Sequence, residues 1–201
     1  MTKLQVEAKR DEIIGIIPVY TDRGNNTLIL LRTGETIKEN RTIKAVKANL
    51  ARTYALDFTA QRQFIKEVLK RHSPMPFYIG QRIFIHLKMR KPVTEGDTVY
   101  GFIDMNYIKI IEPLKAEVTC QVILTTGQTY KIYSSYATAI KSKECGERLL
   151  DYLATEGQNK NHTPDEEIYT SVVSLISKLK EINTRLKNIE SKIAEPPPPI
   201  Y

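Results

Sequence analysis

The side chains of this chain best suited to chemistry are cations. Between Lys38 and Lys91 the sequence holds 13 Lys/Arg against 3 Asp/Glu, a net charge of +10 within 54 residues. The rest of the chain holds 17 basic against 20 acidic residues, a net −3, so the whole positive excess of +7 sits in that stretch. Guanidinium forks and ammonium groups bind phosphate. A local excess of this size attracts polyanions to one part of a molecule. The candidate contacts are Lys44, Lys47 and Arg52, then Arg62, Lys66 and Lys70, then Arg82, Lys88, Arg90 and Lys91. Spacing by four places Arg62, Lys66 and Lys70 on one ridge of a helix. The last group ends the run QRIFIHLKMRKP at 81–92, where an alternating strand passes straight into positive charge.

Other chemistry has no sequence basis. Neither GxxxxGK[ST] nor GxGxxG is present, and there is no GxSxG elbow. Glu95 and Asp97 are paired carboxylates, but TEGDT reads as a turn. Cys120 and Cys145 lack a CxxC partner, and His72, His86 and His162 are isolated, which argues against zinc. The expectation is a protein with no catalytic residues, no metal and no cofactor. No apolar run approaches the ~20 residues of a membrane span. The N-terminus, MTKLQVEAKRDE, lacks an apolar signal core, so a soluble, cytoplasmic protein is expected.

The elements that must position the cations read as α+β, with a mostly antiparallel sheet and about three helices. Residues 12–20 (EIIGIIPVY) and 27–32 (TLILLR) flank the turn DRGNN and predict a hairpin. Ile43, Val46, Leu50 and Tyr54 have helical spacing over 42–54. Asp57 is placed to cap a second helix, from Phe58 to about Arg71, with Phe58, Phe64, Ile65, Val68 and Leu69 on its apolar face. Period two then predicts strands at about 77–79, 82–88, 98–103, 106–111, 116–125 and 129–134. TTGQ at 125–128 joins the last two, and Val118, Cys120, Val122 and Leu124 share a face. A further helix is predicted over about 136–153.

This basic domain, residues 1–155, is followed by a polar linker at 156–164 and a heptad pattern at 165–194. Ile168, Val172, Leu175, Leu179, Ile182, Leu186, Ile189 and Ile193 step alternately by four and three. That is a coiled-coil seam, with Val172, Leu179, Leu186 and Ile193 at a and Ile168, Leu175, Ile182 and Ile189 at d. Leu at a with Ile at d leans toward trimers or tetramers, and antiparallel pairing stays open. The expectation is a homo-oligomer. The tail at 195–201 ends PPIY, in which Pro198, Pro199 and Tyr201 fit the PPxY pattern read by WW domains.

The order of segments carries a resemblance over about residues 12–150. IIGIIPVY and an ILLR strand with RTGE are followed by a basic helical middle, then SPMPFYIGQRIFI, YGFIDMNYIKII, VILTTGQTYKIYSSY and a closing helix. This layout resembles the competence transcription factor family, ComK. The matching residues are Pro74 and Pro76, Ile83 and Phe84, Gly127, and Ser134-Ser135-Tyr136. In place of the family's FPT signature stands IHLKMRKP, and in place of its Trp strand stands Gly101-Phe102-Ile103. The resemblance implies a transcription regulator that binds A/T-rich DNA largely through the minor groove, with several subunits cooperating. Under that reading Arg90, flanked by Lys88 and Lys91, is the side chain suited to a narrow A-tract groove.

Two other classes fit the same residues. In a self-assembling scaffold or viral matrix-like protein, the coiled coil would build the assembly and the cations would meet acidic lipid or packaged nucleic acid, with PPIY recruiting a WW partner. In an RNA-binding module, Phe77, Tyr78 and Phe84 would stack on bases, although their alternating runs point to the core.

Overall fold

A computed structural model describes residues 8–22, 24–70, 75–114 and 118–159, together with Leu179 and Ile182; for 156–159 it describes the backbone alone. The chain divides into two compact units, Met1–Ala154 and Thr155–Tyr201. The first is α+β. Its strands are β1 (Ile13–Thr21), β2 (Gly24–Leu31), β3 (Thr36–Glu39), β4 (Phe77–Ile79), β5 (Arg82–Lys88), β6 (Tyr100–Asp104), β7 (Ile108–Pro113), β8 (Cys120–Leu124) and β9 (Thr129–Ile132). The helices are α1 (Ile43–Thr53), α2 (Phe58–Leu69) and α3 (Tyr136–Asn159).

The strands form two antiparallel sheets rather than one. Six pair in the order β3-β2-β1-β6-β5-β4, and three in the order β7-β8-β9. The larger sheet is buried on both faces, which is why EIIGIIPVY is a continuous apolar run. Ile13, Ile16, Ile29 and Leu31 pack against Ile43, Val46 and Leu50 of α1. Ile14, Ile17, Leu30, Ile83, Ile85 and Leu87 join Cys120, Val122 and Leu124 of β8 and Ala139, Cys145 and Leu149 of α3 in the main core. Helix α3 lies close on β5 because Gly146 leaves room: a Cβ there would stand 2.5 Å from Ile85 Cγ2.

Local signals explain the helix starts. Thr42 Oγ1 accepts from the Ala45 N–H, and Asp57 Oδ1 accepts from the N–H groups of Thr59 (2.8 Å) and Ala60 (3.1 Å). Helix α2 ends as Lys70 turns left-handed at φ 48°. The turn into β9 places Gly127 at φ 86°, a conformation that favours glycine.

Three details differ from the sequence expectation. Strand β3 was not foreseen, being a four-residue edge beside Gly34. The stretch read as a strand from 106 begins with a short 3-10 turn, Met105–Tyr107, capped by the Asp104 side chain. Val118 does not share the buried face of Cys120, Val122 and Leu124, because β8 starts at Cys120 and Val118 is 85% exposed. Of the heptad positions, Leu179 and Ile182 are helical and exposed, at 60% and 53%. The other six, and Pro198, Pro199 and Tyr201, lie outside the described residues.

Candidate nucleic-acid interface

Helix α2 sets the geometry of the clearest basic surface. Asp57 fixes its start, and Gln61, Ile65 and Leu69 face inward. Gln61 is bound on both sides of its amide, donating to the Tyr78 carbonyl (2.8 Å) and accepting from the Tyr78 N–H (3.1 Å), which ties the helix to β4. With that face fixed, Arg62, Lys66 and Lys70 must point outward. All three are exposed and line one open groove of about 830 Å³ with Thr59, Gln63, Glu67 and Met75. Three cations against Glu67 leave the groove positive. From Arg62 to Lys66 to the helix end the row runs about 12 Å, enough to meet phosphates of successive nucleotides.

On α1, Lys44 and Arg52 are exposed. Lys47 is partly buried. Its ammonium sits over the rings of Phe102 (4.3 Å), Phe77 (4.4 Å) and Phe58 (5.1 Å). Burial, and to a lesser degree the nearby Arg62 charge, lowers its pKa to about 8. The ring faces act in the other direction, since their negative quadrupole favours the cation. Burial wins because the site leaves the ammonium little water. Lys47 and Arg62 meet along a smaller cavity of about 290 Å³.

The strand end at 82–91 is organised differently from the sequence expectation. Arg82 Nε donates to Asp104 Oδ2 at 2.8 Å, and its Nη2 donates to the Ile13 carbonyl. Asp104 is fully buried, so Arg82 neutralises a core carboxylate rather than a phosphate. Lys88 is half-buried at the end of β5, and its carbonyl accepts from the Tyr133 N–H at 2.6 Å. Lys91 is exposed.

Arg90 is turned inward, 9% exposed. Its Nη2 donates to Asn25 Oδ1 (2.5 Å) and stands 3.5 Å from Asp97 Oδ1, and its guanidinium lies over the Tyr20 ring at 4.7 Å. Asp97 also accepts from the N–H groups of Val93 (2.8 Å) and Thr94 (2.9 Å), which hold its pKa down at about 2. This corrects one expectation and completes another. Arg90 is not poised to enter a groove. TEGDT is the turn its sequence indicates, and its carboxylate serves as the counter-charge for a buried arginine. Nε and Nη1 of Arg90 are covered and have no hydrogen-bond partner among the described residues. A covered donor left unpaired costs about 1–3 kcal/mol, more when charged.

Of the ten expected contacts, then, the structure groups Arg62, Lys66 and Lys70 in one groove, sets Lys44, Arg52, Lys88 and Lys91 at other surface positions, and gives Lys47, Arg82 and Arg90 inward partners. The aromatics considered for base stacking are core. Phe77 and Phe84 stack at 4.8 Å with planes 4° apart, and both are buried. The nearest approach to a nucleophile–base pair is also internal. Ser142 Oγ lies 2.9 Å from His86 Nε2, yet it donates to the His86 carbonyl at 2.6 Å, and both residues are buried. Among the described residues no group of three His, Cys, Asp or Glu could hold a metal ion, and no helix is long and apolar enough to cross a membrane.

Sequence reasoning passed over Tyr20, Tyr130, Lys131 and Tyr133, which line a cavity of about 430 Å³ with Arg90 and Lys91. They stand on β1, on β9 and just beyond it, and no short motif links them.

The chain matches no family model, no curated protein and no solved structure.

Proposed function

We propose that this chain is an oligomeric DNA-binding protein, a transcription regulator of the kind its ComK resemblance implies. The observation that carries the reading is the α2 groove, where Arg62, Lys66 and Lys70 are exposed in one row. Lys44 and Arg52 on the preceding helix add positive charge to the same half of the sequence. Contacts of this kind are to phosphate, so they supply affinity and register, and base preference must come from elsewhere or from DNA shape. The heptad helix supplies subunits in number, and linked weak sites bind far more tightly than one. With Arg90 held by Asp97 and Asn25, the A/T preference expected from the resemblance requires another side chain, and Lys91 at the exposed strand end is the nearest candidate.

The test is binding of the full chain to A/T-rich and G/C-rich duplexes across a salt series, beside the variant Arg62→Gln/Lys66→Gln/Lys70→Gln. The expected result is a linear fall of log affinity with log salt, with a slope shallower by about 3 in the variant, since each lost phosphate contact removes about 0.9. An unchanged slope would remove α2 from the interface. Binding to acidic vesicles with no duplex binding would favour the scaffold reading instead.

A further inference from the structure

The cavity beside Arg90 differs in kind from the α2 groove and shares no lining residue with it. At about 430 Å³ it falls within the range of roughly 300–1,000 Å³ typical of small-molecule sites. Three tyrosines, Tyr20, Tyr130 and Tyr133, stand around an apolar floor. Arg90, Lys91 and Lys131 bring three cations, and among the described residues no carboxylate lines the cavity. Lys131 Nζ lies over the Tyr133 ring at 5.6 Å, and Arg90 lies over Tyr20. The cavity therefore offers ring faces and positive charge together.

Arg90 supplies the second observation. Its Nε and Nη1 are buried without a hydrogen-bond partner among the described residues. Asn25 and Asp97 engage Nη2, so the rest of the donor fork is unused. Tyr20, whose ring lies on the guanidinium, is itself 43% exposed. It is not part of the packed core, and an outward rotation of its ring would open the fork to an incoming anion. An inorganic anion would use the cations and waste the rings. A neutral aromatic would do the reverse.

We propose that this cavity binds a planar aromatic ring carrying a phosphate, with the ring against Tyr130 and Tyr133 and the phosphate on Arg90, Lys91 and Lys131. A nucleotide has that chemistry, either free or as an unpaired residue of a strand. Stacking on tyrosine tolerates any base, so the site selects the phosphorylated ring rather than a particular base. The inference goes beyond the duplex contact on α2 and does not depend on it.

The experiment follows the arginine Nε–H resonances of the full chain by ¹⁵N NMR, with Arg90→Lys identifying the Arg90 signal. The probes are adenosine monophosphate, adenosine, inorganic phosphate and a 5′-phosphorylated dinucleotide. The expected result is a saturable shift of the Arg90 signal with adenosine monophosphate, at least tenfold tighter than with adenosine or phosphate alone. Tyr133→Leu and Lys131→Gln each weaken it fivefold or more and leave duplex binding unchanged. Tighter binding of the dinucleotide assigns the site to a strand, and equal or weaker binding assigns it to a free nucleotide. The proposal is overturned if neither nucleotide probe moves Arg90 saturably, if phosphate alone binds as tightly, or if both variants bind like the parent. Loss of duplex binding in the α2 variant with the Arg90 shift intact separates the two sites.

Discussion

At the scale of single residues, the buried cations decide how the surface is built. Lys47 is held among three rings with its pKa lowered to about 8 by burial and by Arg62. An unfolded lysine titrates near 10.4, so between those values the unfolded chain binds more protons and stability rises with pH. The cost of the charge is fully present below about pH 8 and is relieved as the pH climbs toward 10.4. Relative to Lys47→Met, the parent should gain up to about 3 kcal/mol across that window, at about 1.4 kcal/mol per pH unit. Urea unfolding of both proteins from pH 7 to 10.5 measures it, and a flat difference would show that Lys47 keeps its ordinary pKa. Asp97 has the opposite sign. Its folded pKa lies near 2, below its unfolded value, because backbone N–H groups and Asn25 favour the carboxylate. Its contribution is present above about pH 4 and fades as the pH falls toward 2. Asp97→Asn should therefore unfold at lower urea at pH 7 and show a weaker dependence on acid. Equal acid profiles would show that folding does not lower the Asp97 pKa.

At the scale of elements, the helices place the chemistry and the glycines set their distance. The face of α2 that carries Arg62 and Lys66 is outward because Gln61, Ile65 and Leu69 are committed inward. Helix α3 is seated on β5 through Gly146, where Ile85 Cγ2 and Met105 Sδ would stand 2.5 Å and 3.1 Å from a Cβ. Gly146→Ala is expected to cost about 1–3 kcal/mol by overpacking, despite alanine's better helix propensity. The urea midpoint should fall with its slope unchanged. An equal or higher midpoint would show that α3 has room to lift from the sheet.

At the scale of the whole molecule, assembly is the open variable. Leu179 and Ile182 are large apolar side chains exposed on a helix. They occupy adjacent a and d positions of the heptad pattern, the positions that pack between helices in a coiled coil. If the proposed oligomer forms through these positions, the parent should sediment as an oligomer and Leu179→Lys/Ile182→Lys should lower its mass, read by analytical ultracentrifugation. Duplex affinity should then fall by at least tenfold while the circular dichroism of the first unit is retained, because linked contacts lose their effective concentration. Undiminished mass would place the subunit contact outside the heptads.

How much was legible follows from the range of each interaction. The hairpin of β1 and β2, the caps at Thr42 and Asp57, the turn at Gly127 and the ridge at Arg62, Lys66 and Lys70 were readable because each depends on residues within a turn or two. Periodicity and capping are local physics. The split into two sheets was not readable, since both sheets alternate alike and only long-range pairing separates them. Nor were the partners of Lys47, Arg82 and Arg90. Phe102 lies 55 positions from Lys47, Asp104 lies 22 from Arg82, and Asn25 lies 65 from Arg90. The sequence by itself determined an α+β domain with its positive charge concentrated in one stretch, and a heptad pattern of apolar residues beyond it. The tertiary structure alone decided which of those charges face water. A cation's role is set by what folds against it, and a side chain in low dielectric must find a ring or a counter-charge wherever the chain brings one.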